Sequence, residues 1–122
     1  MHARRFTASE GSAWREAPDP HTADQQVVVD VTAAGLCHTD VSHIRSGGAH
    51  LPFTPMTLGH EICGTISAPG PRAESGELAG PAGPGSGRDG GYAERVLAFA
   101  DELVTVPDGV DDLAAAVATE PG

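Results

Sequence analysis

Lysine and asparagine are both absent from this sequence, and all seven of its positively charged side chains are arginines. Without a lysine amine the chain cannot form a Schiff base, which excludes pyridoxal-phosphate catalysis of the usual kind. Positive charge is also scarce, because the formal net charge at pH 7 is -10 and only Arg4 and Arg5 are adjacent. Since binding a phosphate backbone requires clustered cations, we expect no nucleic-acid partner.

Long apolar segments are missing as well. No stretch approaches the roughly 18 apolar residues of a membrane-spanning helix, and the first residues lack the apolar core of a signal peptide. The sequence contains only two cysteines, Cys37 and Cys63. These features predict a cytoplasmic protein with reduced thiols and no membrane partner.

Apolar patterning predicts strands in three places. The segment "VVVDVTAAG" (27–35) is rich in β-branched residues and almost continuous, which is typical of a buried strand; "EICGTIS" (61–67) and "GYAERVLAF" (91–99) also favour strands. Short helices are predicted over "HTDVSHIRSG" (38–47) and from about Asp111, where acidic capping residues precede a run of alanines. We expect one compact domain over residues 1–122.

Glycine and proline dominate the segment 68–90, where one or the other occupies nearly every second position. Such a composition has little to bury, so a long surface loop or a partly disordered one is expected there. No G-x-G-x-x-G sequence directly follows any of the predicted strands. The sequence therefore predicts no residues that bind a dinucleotide cofactor.

Cys37, His60 and one of two glutamates, Glu61 or Glu120, are the ligand types of a catalytic zinc site, which leaves one coordination position open. The 22 residues between Cys37 and His60 match no local zinc motif. From spacing alone, a second interpretation therefore stays open, in which Cys37 is a small core residue and His60 lies at a strand edge.

Four segments occur in an order that resembles a known family: "AAGLCHTD", "LGHEICGTI", "GGYAERV" and "VPDGVDDLAAAVATEPG". Together they resemble the amino-terminal, GroES-like catalytic domain of the zinc-dependent medium-chain alcohol dehydrogenases, including the polyol dehydrogenases. The resemblance implies a fold that is mainly β with short helices, arranged as a GroES-like, partly open β-barrel. It also implies one catalytic zinc ion.

The resemblance assigns the zinc ligands residue by residue. Cys37 matches the zinc thiolate and His60 matches the zinc imidazole. Glu61 matches a carboxylate beside zinc that enters and leaves coordination. Glu120, in "ATEPG", matches the polyol-dehydrogenase glutamate that binds zinc directly or through water.

Other residues are implied to act around the metal. Asp40 matches the carboxylate that orients the zinc-binding histidine. Thr39 matches the hydroxyl that passes the substrate's proton toward bulk water, so Thr39, Glu61 and Glu120 form the expected catalytic set. Cys63 is interpreted as a small apolar strand residue, and Glu94 as a surface or strand-pairing residue.

Two departures from the family shape the functional hypotheses. The four closely spaced cysteines of the structural-zinc lobe are absent, so no second zinc is expected. The chain also ends where the family's nucleotide-binding domain would begin, so NAD(P) is not expected to bind to this chain alone.

The hypothesis favoured by these departures is a stand-alone zinc enzyme. It would use zinc as a Lewis acid for non-redox chemistry, namely dehydration, cyclisation, isomerisation or hydrolysis of a small carbonyl or hydroxyl compound in specialised biosynthesis. One alternative is a truncated or split zinc-dependent NAD(P) alcohol dehydrogenase. The other is a non-catalytic zinc-binding interaction module. The expected partners are a small-molecule substrate and either a second copy of the chain, as a homodimer, or a separate nucleotide-binding chain.

Overall fold

The computed structural model describes residues 1–22, 26–36, 38–49, 51, 54–68, 78–81 and 89–118. Within these ranges the chain forms eight strands, two α-helices and a 3-10 turn at Ala100–Glu102. In chain order the elements are β1 (His2–Thr7), β2 (Gly11–Glu16), β3 (Gln26–Gly35), α1 (His38–Arg45), β4 (Met56–Thr57), β5 (Glu61–Ala68), β6 (Leu78–Pro81), β7 (Arg95–Phe99), β8 (Val104–Thr105) and α2 (Asp112–Ala118).

The strands form two antiparallel sheets. The larger has the order β7-β3-β5-β6-β8, and the smaller has the order β2-β1-β4. Strand β3 is the longest and lies inside the larger sheet, between β7 and β5. This position agrees with the buried run of Val27, Val28 and Val29, which is apolar on both faces. This architecture confirms the expectation of a mainly β fold with short helices.

Residues 92–94 connect the two sheets. Ala93 forms a bridge with Ala3 of β1, and the Arg4 amide donates a hydrogen bond to the Tyr92 carbonyl at 2.7 Å. On the other side, the Val31 amide donates to the Glu94 carbonyl at 3.0 Å. The chain thus passes between β1 and β3 and closes one side of the barrel. This connection also explains why β7 begins only at Arg95, later than the apolar pattern predicts.

Two clusters of buried side chains fill the interior. The first joins β3, β5 and β7 and contains Val27, Val29, Ile62, Val96 and Ala98. The second joins β3, β5, β6 and α2 and contains Ala33, Cys63, Ala79, Ala115 and Ala116. Small side chains in the second cluster let α2 lie close to the sheet. Cys63 is fully buried there, which confirms its interpretation as an apolar strand residue.

Helix α2 confirms the helix predicted from about Asp111. The Asp111 carboxylate accepts a hydrogen bond from the Ala114 amide at 2.9 Å, which is the contact of an N-cap residue. The helix packs against β3, β5 and β6 through Ala115 and Ala116. No helix in the described ranges has both the length and the apolar character needed to cross a bilayer.

The segment 68–90 differs from the expected loop, because strand β6 occupies Leu78–Pro81. Leu78, Ala79 and Gly80 are buried, and β6 pairs with both β5 and β8. A β-carbon at Gly80 would lie 2.8 Å from the backbone carbonyl oxygen of Glu102 and 2.7 Å from a Leu103 methyl group, so this position needs a residue without a side chain. Glycine here marks a close approach of two segments, whereas composition alone suggested a loop. Residues 69–77 and 82–88 lie outside the described part.

Candidate metal centre

Strand register brings the predicted site residues together. Gly35, the last residue of β3, pairs with Glu61, the first residue of β5. Helix α1 begins directly after β3 and carries Asp40 in its first turn, while His60 immediately precedes β5. Two sequence segments that lie far apart in the chain therefore meet at one end of the larger sheet.

The His60 imidazole lies between two buried carboxylates. Its Nδ1 atom is 3.6 Å from Oδ1 of Asp40, and its Nε2 atom is 3.8 Å from Oε1 of Glu61. The side chains of Asp40 and Glu61 are only 1% and 6% exposed, whereas that of His60 is 19% exposed. At 3.6 Å the contact with Asp40 is electrostatic and longer than a hydrogen bond. The site is therefore acidic, largely shielded, and open to solvent mainly at the imidazole.

These donors fit a zinc ion on the Nε2 side of His60. Nitrogen and oxygen ligands lie about 2.0–2.1 Å from tetrahedral zinc, so two such ligands are about 3.3–3.4 Å apart. The 3.8 Å between Nε2 and the Glu61 carboxylate is close to this separation. Asp40 lies beside the other ring nitrogen, which is the arrangement in which a carboxylate orients a metal-binding imidazole.

The remaining predicted ligands cannot be placed beside this pair. Cys37 and Glu120 lie outside the described residues, as does the Thr39 side chain, although the Thr39 backbone belongs to α1. Among the described residues, no three histidine, cysteine, aspartate or glutamate side chains converge on one metal position. The described part of the site thus supplies two donors, and its completion by Cys37 or Glu120 stays a prediction.

Tyr92 belongs to the site, although the sequence reasoning gave it no role. Its hydroxyl lies 2.6 Å from Oδ2 of Asp40 and 3.2 Å from the Gly35 carbonyl oxygen. The only sequence signal was the aromatic residue after two glycines in "GGYAERV", because a partly buried tyrosine hydroxyl usually has a hydrogen-bond partner. The identity of the hydrogen-bond partner of the Tyr92 hydroxyl depends on the fold.

Gly59 permits Tyr92 to pack against the backbone just before His60. Its φ of +99° is a backbone conformation that favours glycine, and a β-carbon there would lie 2.8 Å from Cδ1 of the Tyr92 ring. The Tyr92 amide donates to the Leu58 carbonyl at 3.0 Å, and the Gly91 amide donates to the Gly59 carbonyl at 2.8 Å. The segment before His60 is therefore fixed against the segment that carries Tyr92.

A partly buried ion pair supports the same region. Arg5 donates to Oδ2 of Asp89 at 2.9 Å, while Oδ1 of Asp89 accepts from the Thr57 amide at 2.9 Å. Asp89 thus connects β1 and β4 just ahead of the Gly90–Tyr92 turn.

Glu94 has a structural contact outside the metal centre. Its half-exposed side chain accepts a hydrogen bond from the His2 amide.

Comparison with known proteins places this architecture in a family. The model of the alcohol dehydrogenase GroES-like domain matches residues 23–108. The chain belongs to this family. The GroES-like domain is 31% identical to the sorbitol dehydrogenase of Halalkalibacterium halodurans, over 89% of this chain and 39% of that protein. It is 33% identical to the quinone oxidoreductase of Sus scrofa, over 75% of this chain and 28% of that protein.

The fold of the GroES-like domain matches a solved structure over almost its whole length. The acetophenone reductase of Geotrichum candidum, determined in complex with NAD, superposes with a TM-score of 0.80 at 27% identity. The match covers 97% of this chain and 43% of the reductase. The chain therefore spans well under half the length of each of these three relatives.

Proposed function

We propose that this domain supplies the zinc-binding half of an alcohol or polyol oxidoreductase, and that a nucleotide-binding domain supplies the nicotinamide half. The observation that carries the proposal is the position of His60 between Asp40 on its Nδ1 side and Glu61 on its Nε2 side. A zinc ion bound there would act as a Lewis acid on the oxygen of an alcohol or carbonyl substrate. Cys37 and Glu120 are proposed to complete the ligand set.

Three residues around the proposed zinc position have different roles. Asp40 holds the imidazole through Nδ1 and leaves Nε2 to face the metal position. Glu61 places a shielded negative charge beside that position, which favours a cation there. Thr39 is proposed to move the substrate proton toward solvent, following the family resemblance.

The relatives favour a redox reaction. A sorbitol dehydrogenase, a quinone oxidoreductase and an acetophenone reductase are all oxidoreductases by name. Hydride transfer requires a nicotinamide held against the substrate carbon. The G-x-G-x-x-G spacing occurs in "GSGRDG" (85–90), but strand β7 and not a helix follows it, so this segment is not the dinucleotide fingerprint. We propose that the nucleotide-binding domain lies in another part of a longer protein or on a separate chain. The non-redox chemistry predicted from the sequence remains the alternative.

Cobalt substitution distinguishes a catalytic zinc site from a closed, non-catalytic one. Cobalt(II) takes the same ligands, and adding 2-mercaptoethanol to a site with an exchangeable position produces a new thiolate-to-cobalt charge-transfer band. We expect this band in the wild-type domain. A cobalt spectrum that does not respond to the thiol would instead support the interaction-module hypothesis.

A fusion protein distinguishes redox from non-redox chemistry. Residues 1–122 would replace the matching part of the Halalkalibacterium halodurans sorbitol dehydrogenase, and NAD-dependent oxidation of sorbitol and other polyols would be followed. We expect turnover by the fusion and at least a hundredfold loss in the same fusion carrying His60→Ala.

The isolated domain provides the other half of this test. We expect it not to bind NAD(H) or NADP(H) with micromolar affinity in calorimetric titrations, because it has neither a glycine fingerprint that opens a helix nor a cluster of cations for a pyrophosphate. Tight one-to-one binding of the cofactor would contradict the proposal that zinc and the nicotinamide cofactor bind to different domains. Zinc-dependent dehydration or isomerisation by the isolated domain, with an inactive fusion, would favour the non-redox alternative.

A further inference from the structure

Tyr92 contacts three of the described segments around His60. Its hydroxyl reaches Asp40 in α1 and the carbonyl of Gly35 at the end of β3. Its ring and amide contact Gly59 and Leu58, just before His60. A single side chain thus connects the strand end, the helix and the loop that together form the metal centre.

The hydroxyl proton is directed to Asp40. A tyrosine hydroxyl has one proton to donate, and here two acceptors lie within reach. The 2.6 Å distance to Oδ2 of Asp40 is typical of an O–H···O⁻ hydrogen bond to a carboxylate, whereas 3.2 Å to the Gly35 carbonyl is long for a hydroxyl donor. This bond fixes one oxygen of Asp40, and the other oxygen then faces Nδ1 of His60.

We propose that Tyr92 is a positioning residue that raises the affinity of His60 for zinc by orienting and stabilising the Asp40 carboxylate. Asp40 is almost completely buried, so its charge requires such a hydrogen bond. A carboxylate fixed beside Nδ1 holds the imidazole ring in one orientation and increases the basicity of the nitrogen that faces the metal. This inference rests on the proposed function, because it assumes that His60 binds zinc.

The substitution Tyr92→Phe removes only the hydroxyl and keeps the ring that packs on Gly59. Removing an outer hydrogen-bond partner of a metal ligand costs about 10–100-fold in metal affinity. We expect a loss of about tenfold for Tyr92→Phe in a chelator-competition titration with zinc. As a matched control, Ser67→Ala removes a hydroxyl that donates to the Val28 carbonyl at the far end of β5, and its zinc affinity should equal that of wild type.

A double-mutant cycle with Asp40→Asn separates positioning from packing. If Tyr92 acts through Asp40, the change Tyr92→Phe should cost no further affinity once the carboxylate is gone. The same tenfold loss in both backgrounds would show that the hydroxyl acts by another route, and an unchanged Tyr92→Phe affinity would also overturn the inference. A wild-type domain that binds no zinc would instead overturn the proposed function on which the inference rests.

A fluorine probe gives a second measurement that needs no Tyr92 variant. Tyr92 is the only tyrosine in the chain, so biosynthetic 3-fluorotyrosine labels it alone. We expect its ¹⁹F resonance to shift when zinc is added to wild type, and the shift to be lost in Asp40→Asn. A ¹⁹F resonance that does not shift when zinc is added to wild type would contradict the inference.

Discussion

The two ring nitrogens of His60 have different environments, and this difference gives the site its chemistry. Asp40, which is almost completely buried, lies beside Nδ1, and Glu61 lies beside Nε2. Burying two carboxylates is unfavourable unless hydrogen bonds or cations accompany them. The hydrogen bond from Tyr92 stabilises Asp40, and a cation bound beside Nε2 of His60 would further stabilise Glu61.

The two cysteines should respond differently to substitution. Cys63 is fully buried among small apolar side chains, so Cys63→Ala removes a packing atom and should cost about 1 kcal/mol of stability while zinc is retained. Cys37→Ala should abolish zinc retention, because Cys37 is proposed as the zinc thiolate. Metal analysis of both purified variants tests the difference. Equal loss of zinc from both would indicate general unfolding.

At the scale of the elements, the Arg5–Asp89 pair holds the small sheet against the turn that carries Tyr92. The Arg5 side chain is 11% exposed, and it also donates to the Pro55 carbonyl at 3.2 Å. A guanidinium this shielded depends on its acceptors, since an unpaired buried charge is strongly unfavourable.

Asp89→Ala should therefore destabilise the domain by about 1–3 kcal/mol, through the loss of bonds to Arg5 and to the Thr57 amide. Glu10→Ala provides a matched control. It removes an exposed pair with Arg15 and should change the free energy of unfolding by less than about 0.5 kcal/mol. Urea denaturation of the two variants measures both values. Equal effects would show that Arg5 and Asp89 behave as an ordinary surface pair.

The sequence predicts the strands that have a continuous apolar pattern. It misses the strands whose residues are explained only by contacts with distant segments. Strands β3 and β5 are rich in β-branched and apolar residues, so both were predicted. Strand β1 was missed, because a buried arginine, Arg5, interrupts its apolar pattern. Strand β6 was missed because its glycine reflects a close approach to Leu103.

Prediction of the metal centre has the same limit, because local pattern does not indicate contacts between distant segments. Residue type alone marks His60 and Glu61 as candidate ligands, the family resemblance adds Asp40, and strand register then places them together. Local spacing indicated no zinc motif, because the contacts depend on pairing between β3 and β5. Tyr92 lies 52 residues from Asp40 in the chain, so no local pattern indicates their hydrogen bond.

At the scale of the whole molecule, the region between β6, β8 and α2 forms a surface groove. Its volume is about 360 Å³, and its lining includes Val104, Val110 and Ala115. Leu113, on the same helix, is 67% exposed. Exposed apolar surface of this kind often marks an interface.

We propose that a second copy of the chain covers this surface in the isolated domain, with residues 111–120 at or near the interface. A two-fold dimer is the commonest closed assembly. Light scattering at several concentrations should give a dimer for wild type and a monomer for Leu113→Glu. Trp14→Glu, which changes an exposed apolar residue on β2, serves as the control and should leave the dimer intact. A wild-type monomer at every concentration would contradict the proposal.

Zinc content is the most direct test of the central claim that His60 belongs to a single metal centre of the catalytic type. The domain would be purified without added metal, and zinc would be measured per chain in wild type and in His60→Ala, with circular dichroism to verify folding. We expect one zinc per wild-type chain and none in the folded variant. Two zinc ions per chain, none in folded wild type, or full retention in His60→Ala would contradict the claim.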